Sequence, residues 1–138
     1  MIGVLIVTHG SIGESLLASA KQILNSEPPL IATLGVSRSD DPEDLILRVK
    51  RLLKQLDAGD GVLVLTDIFG ATPGNVIARL LEDGRVEGVS GLSLPMLLRV
   101  LTSRDGSPNL SLSGAVQRAL SGGTEGVVHM NSDRCLDA

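Results

Sequence analysis

Two residues of complementary chemistry, His9 and Asp67, end two matching apolar runs. Gly3-Val4-Leu5-Ile6-Val7 stops at Thr8-His9-Gly10, and Gly61-Val62-Leu63-Val64-Leu65 stops at Thr66-Asp67. A carboxylate that accepts a hydrogen bond from imidazole Nδ1–H fixes the tautomer and leaves Nε2 as a lone-pair nucleophile or ligand. It also stabilises the positive charge that develops as Nε2 attacks an electrophile. The neighbouring residues suggest which electrophile. Gly70-Ala71-Thr72-Pro73 is a small-residue turn opening a helix, and Gly10-Ser11 opens another. Free amides and the positive dipole end of a helix suit phosphate oxygens. Thr72 and Ser11 add hydroxyl donors, so the set Gly10, Ser11, Gly70, Ala71 and Thr72 reads as a cradle for a phosphoryl group on His9.

Each feature alone has a plainer meaning: a structural histidine at a strand end, an aspartate capping its own turn, a threonine as an N-cap. Their convergence on one edge favours the chemical reading. His129 lacks such company and reads as structural or surface. Arg99 and Arg104 read as ordinary surface arginines, and Asp40, Asp41, Glu43 and Asp44 as helix-start capping.

The elements that must position this pair alternate strand and helix. Both runs are continuous and β-branched, as in parallel strands buried on two faces. Strand one covers 2–7, and a helix over 13–24 turns Leu16, Leu17, Ala20, Ile23 and Leu24 inward. A second strand spans 30–36, followed by a helix that Asp41 caps, with Pro42 at its first position and Leu45, Val49, Leu52, Leu53 and Leu56 facing the core. After the third strand, Thr72 is the expected N-cap of a helix reaching about Glu82, with Pro73 at N1. A fourth strand over 86–92, a helix over 94–102 capped by Ser93, a helix over 111–120 and a short closing strand over 126–130 complete the pattern. Such alternation implies one α/β domain: an open doubly wound, mainly parallel sheet of order 2-1-3-4. Strands one and three are then neighbours at the switch point, with His9 and Asp67 side by side.

The 138 residues fit one domain, with 43% hydrophobic residues and a mean hydropathy of +0.28. Phe69 is the sole aromatic, which counts against base-stacking platforms, and the net charge of −4 counts against nucleic acid. The single Cys135 cannot close an internal disulfide and fits a reducing cytoplasm. No segment approaches the ~20 apolar residues of a membrane-spanning helix, and no signal peptide is apparent. The expectation is a cytoplasmic protein with no membrane insertion, no metal and no cofactor.

Three motifs, V-T-H-G at the first strand end, T-D-I-F-G-A-T-P-G-N after the third and G-L-S-L-P-M-L after the fourth, stand in one order along the chain. With them the sequence resembles the IIA component of the mannose/sorbose type of the phosphoenolpyruvate-dependent sugar phosphotransferase system, over about residues 1–130, leaving 131–138 as a polar tail. The resemblance implies that His9 is phosphorylated at Nε2 by the phosphocarrier HPr and passes the group to a separate IIB component. It implies that Asp67 orients His9, and that Thr72 holds a hydroxyl position usually occupied by Ser. It implies four parallel strands plus a fifth, antiparallel strand over 126–130 exchanged between two subunits of a homodimer. Where the family usually has G-G-S-P and a larger residue, this chain has Gly70-Ala71-Thr72-Pro73-Gly74, and Phe69 stands where Trp is frequent. Two other functions compete: a solitary regulatory IIA whose phosphorylation state controls a protein partner, and a small tetrapyrrole metal chelatase, some of which also carry His-Gly-Ser after a first strand.

Overall fold

In the computed structural model, which describes residues 1–107 and 109–133, four parallel strands form one sheet in the order β2-β1-β3-β4. They are β1 (Gly3–His9), β2 (Ile31–Val36), β3 (Val62–Thr66) and β4 (Val86–Val89). The helices are α1 (Ile12–Leu24), α2 (Pro42–Leu56), α3 (Thr72–Ala78), α4 (Leu94–Gly106), α5 (Leu112–Glu125) and the short α6 (Met130–Asp133). The apolar runs are continuous because both faces of the sheet are covered. Val4, Ile6, Leu63 and Leu65 pack with residues of α1, α4 and α5, whereas Leu5, Val7, Val62 and Val64 pack with residues of α2 and α3. Successive side chains point to opposite faces, so a strand covered on both sides has no polar alternate position.

Several local expectations shift. The N-cap of α3 is Ala71, with Thr72 the first helical residue, and the helix ends at Ala78 rather than near Glu82. Beyond it, Glu82 and Val86 exchange backbone hydrogen bonds across Gly84 (φ +79°), and that tight turn consumes the groups a longer helix would use. Strand β4 stops at Val89, and Leu92 N–H donates instead to Thr66 O (2.9 Å). Helix α5 runs on to Glu125, past the expected end at 120, and lies closely against α4 at Gly122. A Cβ on Gly122 would lie 3.1 Å from Met96 Cα and 2.9 Å from Arg99 Cβ. Ile23 is exposed rather than inward.

The closing strand over 126–130 is not formed within the chain. Gly126 N–H bonds Gly122 O to end α5, residues 127–129 pair with no strand, and Met130 opens α6. His129 is exposed, with Nδ1 2.9 Å from Ser132 Oγ. Cys135 lies outside the described residues.

Arg104 is the largest departure. It is completely buried, although the sequence reads it as a surface residue. Its Nη1 donates to Ile2 O and Leu30 O (both 3.1 Å) and its Nη2 to Pro29 O, tying α4 to the start of β1 and the turn before β2. Burial pulls its pKa down, partly opposed by the charge of Asp105. No ion pair among the described residues includes it, and its Nε has no hydrogen-bond partner. A signal was present: Leu97, Val100, Leu101 and Arg104 fall at helical spacing, and the first three are fully buried.

Candidate functional site

Strands β1 and β3 pair in parallel up to Val7 opposite Thr66, where β3 ends, while β1 continues beside β2 to His9 opposite Val36. His9 and Asp67 therefore both stand at the carboxyl edge of the sheet. The structure there brings His9 and Asp67 into contact. His9 Nδ1 lies 2.8 Å from Asp67 Oδ2, and the same oxygen accepts the His9 backbone N–H at 3.1 Å. Asp67 Oδ1 accepts from Ile68 N–H at 3.0 Å, so both carboxylate oxygens are engaged. The His9 side chain is 50% exposed and that of Asp67 13%. Partial burial raises the Asp67 pKa, but hydrogen bonds from the His9 ring and amide, a further backbone bond and the His9 charge outweigh it. The net result lies below the ordinary value of 3.8, and the group is a carboxylate at neutral pH. With Nδ1–H donated to Asp67, the Nε2 lone pair is the free nitrogen of the ring.

Both turns that leave these strands pass through a left-handed glycine, Gly10 (φ +49°) and Gly70 (φ +85°). They open α1 and α3. These two helix starts, alone among the five longer helices, lack a cap from the side chain of their own N-cap residue. Asp41, Ser93 and Ser111 each accept a backbone N–H at the starts of α2, α4 and α5. Neither Ser11 nor Ala71 makes such a bond. Ser11 and Thr72 are exposed. Among the described residues, the backbone N–H groups of Ser11, Gly70, Ala71 and Thr72 find no acceptor in the chain.

Gly10 differs from its expected part. Its N–H is taken by Val36 O at 3.0 Å, so it offers no free amide. Its carbonyl sits against β2, where a Cβ on Gly35 would lie 2.3 Å from Gly10 O. Sequence reading missed Gly35 and also Thr8, whose buried hydroxyl accepts Gly13 N–H at 2.8 Å. For Gly35 the signal was faint, a lone glycine inside a strand. Arg99 pairs with Glu125 at 2.6 Å. Among the described residues, no group of three or more His, Cys, Asp or Glu side chains is placed to hold a metal ion. No described helix is long and apolar enough to cross a membrane.

The chain is similar to known proteins in sequence and in fold. The family model described as the PTS system fructose IIA component matches residues 3–117. The mannose-specific EIIAB component of Escherichia coli K12 is 34% identical over 91% of this chain, which spans only 38% of that protein's length. The fructose-specific EIIA component of Bacillus subtilis 168 is 36% identical over 76% of this chain and 72% of its own. The crystal structure of a phosphotransferase system EIIA component from Streptococcus agalactiae superposes with a TM-score of 0.82 at 26% identity, covering 96% of this chain and 99% of the other.

Proposed function

The chain belongs to the PTS system fructose IIA component family, and from that premise we propose that it is a phosphocarrier in which His9 accepts a phosphoryl group from phospho-HPr and hands it to a separate IIB protein. The observation that carries this reading is the Nδ1 contact to Asp67, which leaves Nε2 unengaged at the sheet edge where α1 and α3 begin with N-cap residues that make no cap bond. Membership in this family supports phosphoryl transfer over the metal-insertion alternative.

The step is an in-line displacement. The Nε2 lone pair attacks phosphorus, the new N–P bond forms as the P–N bond to the donor histidine breaks, and the donor imidazole leaves with that electron pair. The His9 ring then carries positive charge, which its Nδ1–H shares with the Asp67 carboxylate. Hydroxyls of Ser11 and Thr72 and the amides of Ser11, Gly70, Ala71 and Thr72 receive the phosphoryl oxygens. Catalysis of this type rests on positioning and electrostatic stabilisation. An exposed His9 suits exchange between two proteins in a cytoplasmic relay.

The same reading includes a homodimer. Val127, Val128 and Met130 are 85%, 50% and 78% exposed on an unpaired stretch, and β4 is an edge strand. Strand exchange between copies would cover both.

Incubation with phosphoenolpyruvate, Enzyme I and HPr, followed by mass mapping, should place one acid-labile phosphoryl group on His9. His9→Ala should abolish labelling with the fold intact. Failure of the wild type to label with cognate HPr would refute the proposal, and labelled protein that no IIB accepts would favour the regulatory form of the function.

A further inference from the structure

We propose that Thr8 is a positioning residue that caps α1 from inside strand β1, so that the N-cap residue Ser11 is released to face the group carried on His9. The inference rests on the phosphocarrier reading. Three observations support it. Thr8 is 1% exposed, and its Oγ1 accepts Gly13 N–H at 2.8 Å, satisfying one of the orphan amides that an N-cap side chain ordinarily takes. Its hydroxyl proton points to His9 O, 3.2 Å away. Ser11, at the N-cap position itself, has φ −98° and ψ 12°, outside the extended geometry of capping residues, and makes no cap bond.

The arrangement depends on close approach. A Cβ on Gly13 would lie 2.5 Å from Ile6 Cγ2 and 3.1 Å from Thr8 Oγ1, so a side chain there would push the helix start off the strand. The Thr8 hydroxyl therefore bonds across the His9 turn, to the His9 carbonyl before it and the first turn of α1 after it. Gly10 N–H, bound to Val36 O, fixes the same turn from the other side. The division of labour is local: a buried hydroxyl holds the helix, and an exposed one is left for the ligand.

Two experiments test this. Thr8→Val keeps the shape and removes the hydroxyl. It should slow phosphoryl transfer from phospho-HPr to His9 by about tenfold or more, and Thr8→Ser should restore the rate to within about threefold, as expected for a single positioning bond. Transfer at the wild-type rate in folded Thr8→Val overturns the proposal. Ser11→Ala is compared by thermal melting with the true caps, Ser93→Ala and Ser111→Ala. It should leave the Tm within about 1 °C of wild type, whereas each true cap should lower it by about 2 °C or more. A Tm loss in Ser11→Ala equal to theirs overturns the proposal even if Thr8→Val does not fold. Because melting requires no phosphoryl donor, failure of wild-type labelling would refute the phosphocarrier reading while this comparison still decides how α1 is capped.

Discussion

Asp67 holds His9 through a single oxygen. Oδ2 lies 2.8 Å from the ring Nδ1 and 3.1 Å from the His9 backbone nitrogen, so one carboxylate sets both the tautomer and the position of the residue. The two bonds are separable by mutation. Asn at this position can still accept the backbone N–H, but it has no charge to offset a cationic ring.

Asp67→Asn should therefore remain folded and lose about 10²-fold in the rate of phosphohistidine formation, the scale of removing one preorganised electrostatic partner. Quench-flow measurement of transfer from phospho-HPr, with circular dichroism as the control for folding, checks this. A loss under about threefold would remove Asp67 from the chemistry.

The same contact predicts a pH dependence. The Asp67 carboxyl titrates below 3.8 in the folded chain, since its hydrogen bonds with His9 outweigh partial burial. Between the folded and unfolded pKa values the unfolded state binds more protons, so stability rises with pH there. The Asp67 contribution is full above the ordinary carboxylate range and disappears as pH falls through the folded value. Urea denaturation of wild type and Asp67→Asn should differ at pH 6 and converge on acidification below about pH 4. A gap that widens in acid contradicts the assignment.

Arg104→Met preserves much of the buried volume but removes the donors to Ile2 O, Pro29 O and Leu30 O. Leu30 is a non-glycine residue at φ +48°, a conformation that persists only where its surroundings hold it. The substitution should cost at least about 2 kcal/mol, given about 1–3 kcal/mol for a buried polar group left without its partner. The urea midpoint should fall with an unchanged slope. Unaltered stability would mean that desolvating the guanidinium already cancels its bonds.

Gly35→Ala brings a methyl against Gly10 O, where the undisplaced contact would be 2.3 Å. The His9 turn must move, with a stability loss of about 1–3 kcal/mol and slower labelling of His9. Gly106→Ala, in a position with nothing within 4 Å, is the control and should be neutral or stabilising by up to about 1 kcal/mol. Equal behaviour of the two variants would show that the β2 clamp does not position the turn.

Removing residues 127–138 tests the proposed dimer. The full chain should sediment as a dimer and the shortened one as a monomer in analytical ultracentrifugation. A monomeric full chain would discard that part of the proposed function.

What the sequence by itself determined were properties with a short period. Unbroken β-branched runs specify strands covered on both faces, and their alternation with helical patterns specifies a parallel sheet of order 2-1-3-4. That order alone places the ends of β1 and β3 together, which is why the His9–Asp67 contact was legible without coordinates. Tertiary structure decided whatever depends on how closely separate segments approach. Gly10 loses its amide to Val36, Gly122 lies too close to α4 for a side chain, and Arg104 occupies a core position because three backbone carbonyls converge there. Thr8 belongs to the same class: its hydroxyl has a partner only because Gly13 lets the helix start settle onto the strand. Periodicity is written locally in the chain, whereas a hydrogen bond between distant segments exists only once packing has brought donor and acceptor within about 3 Å.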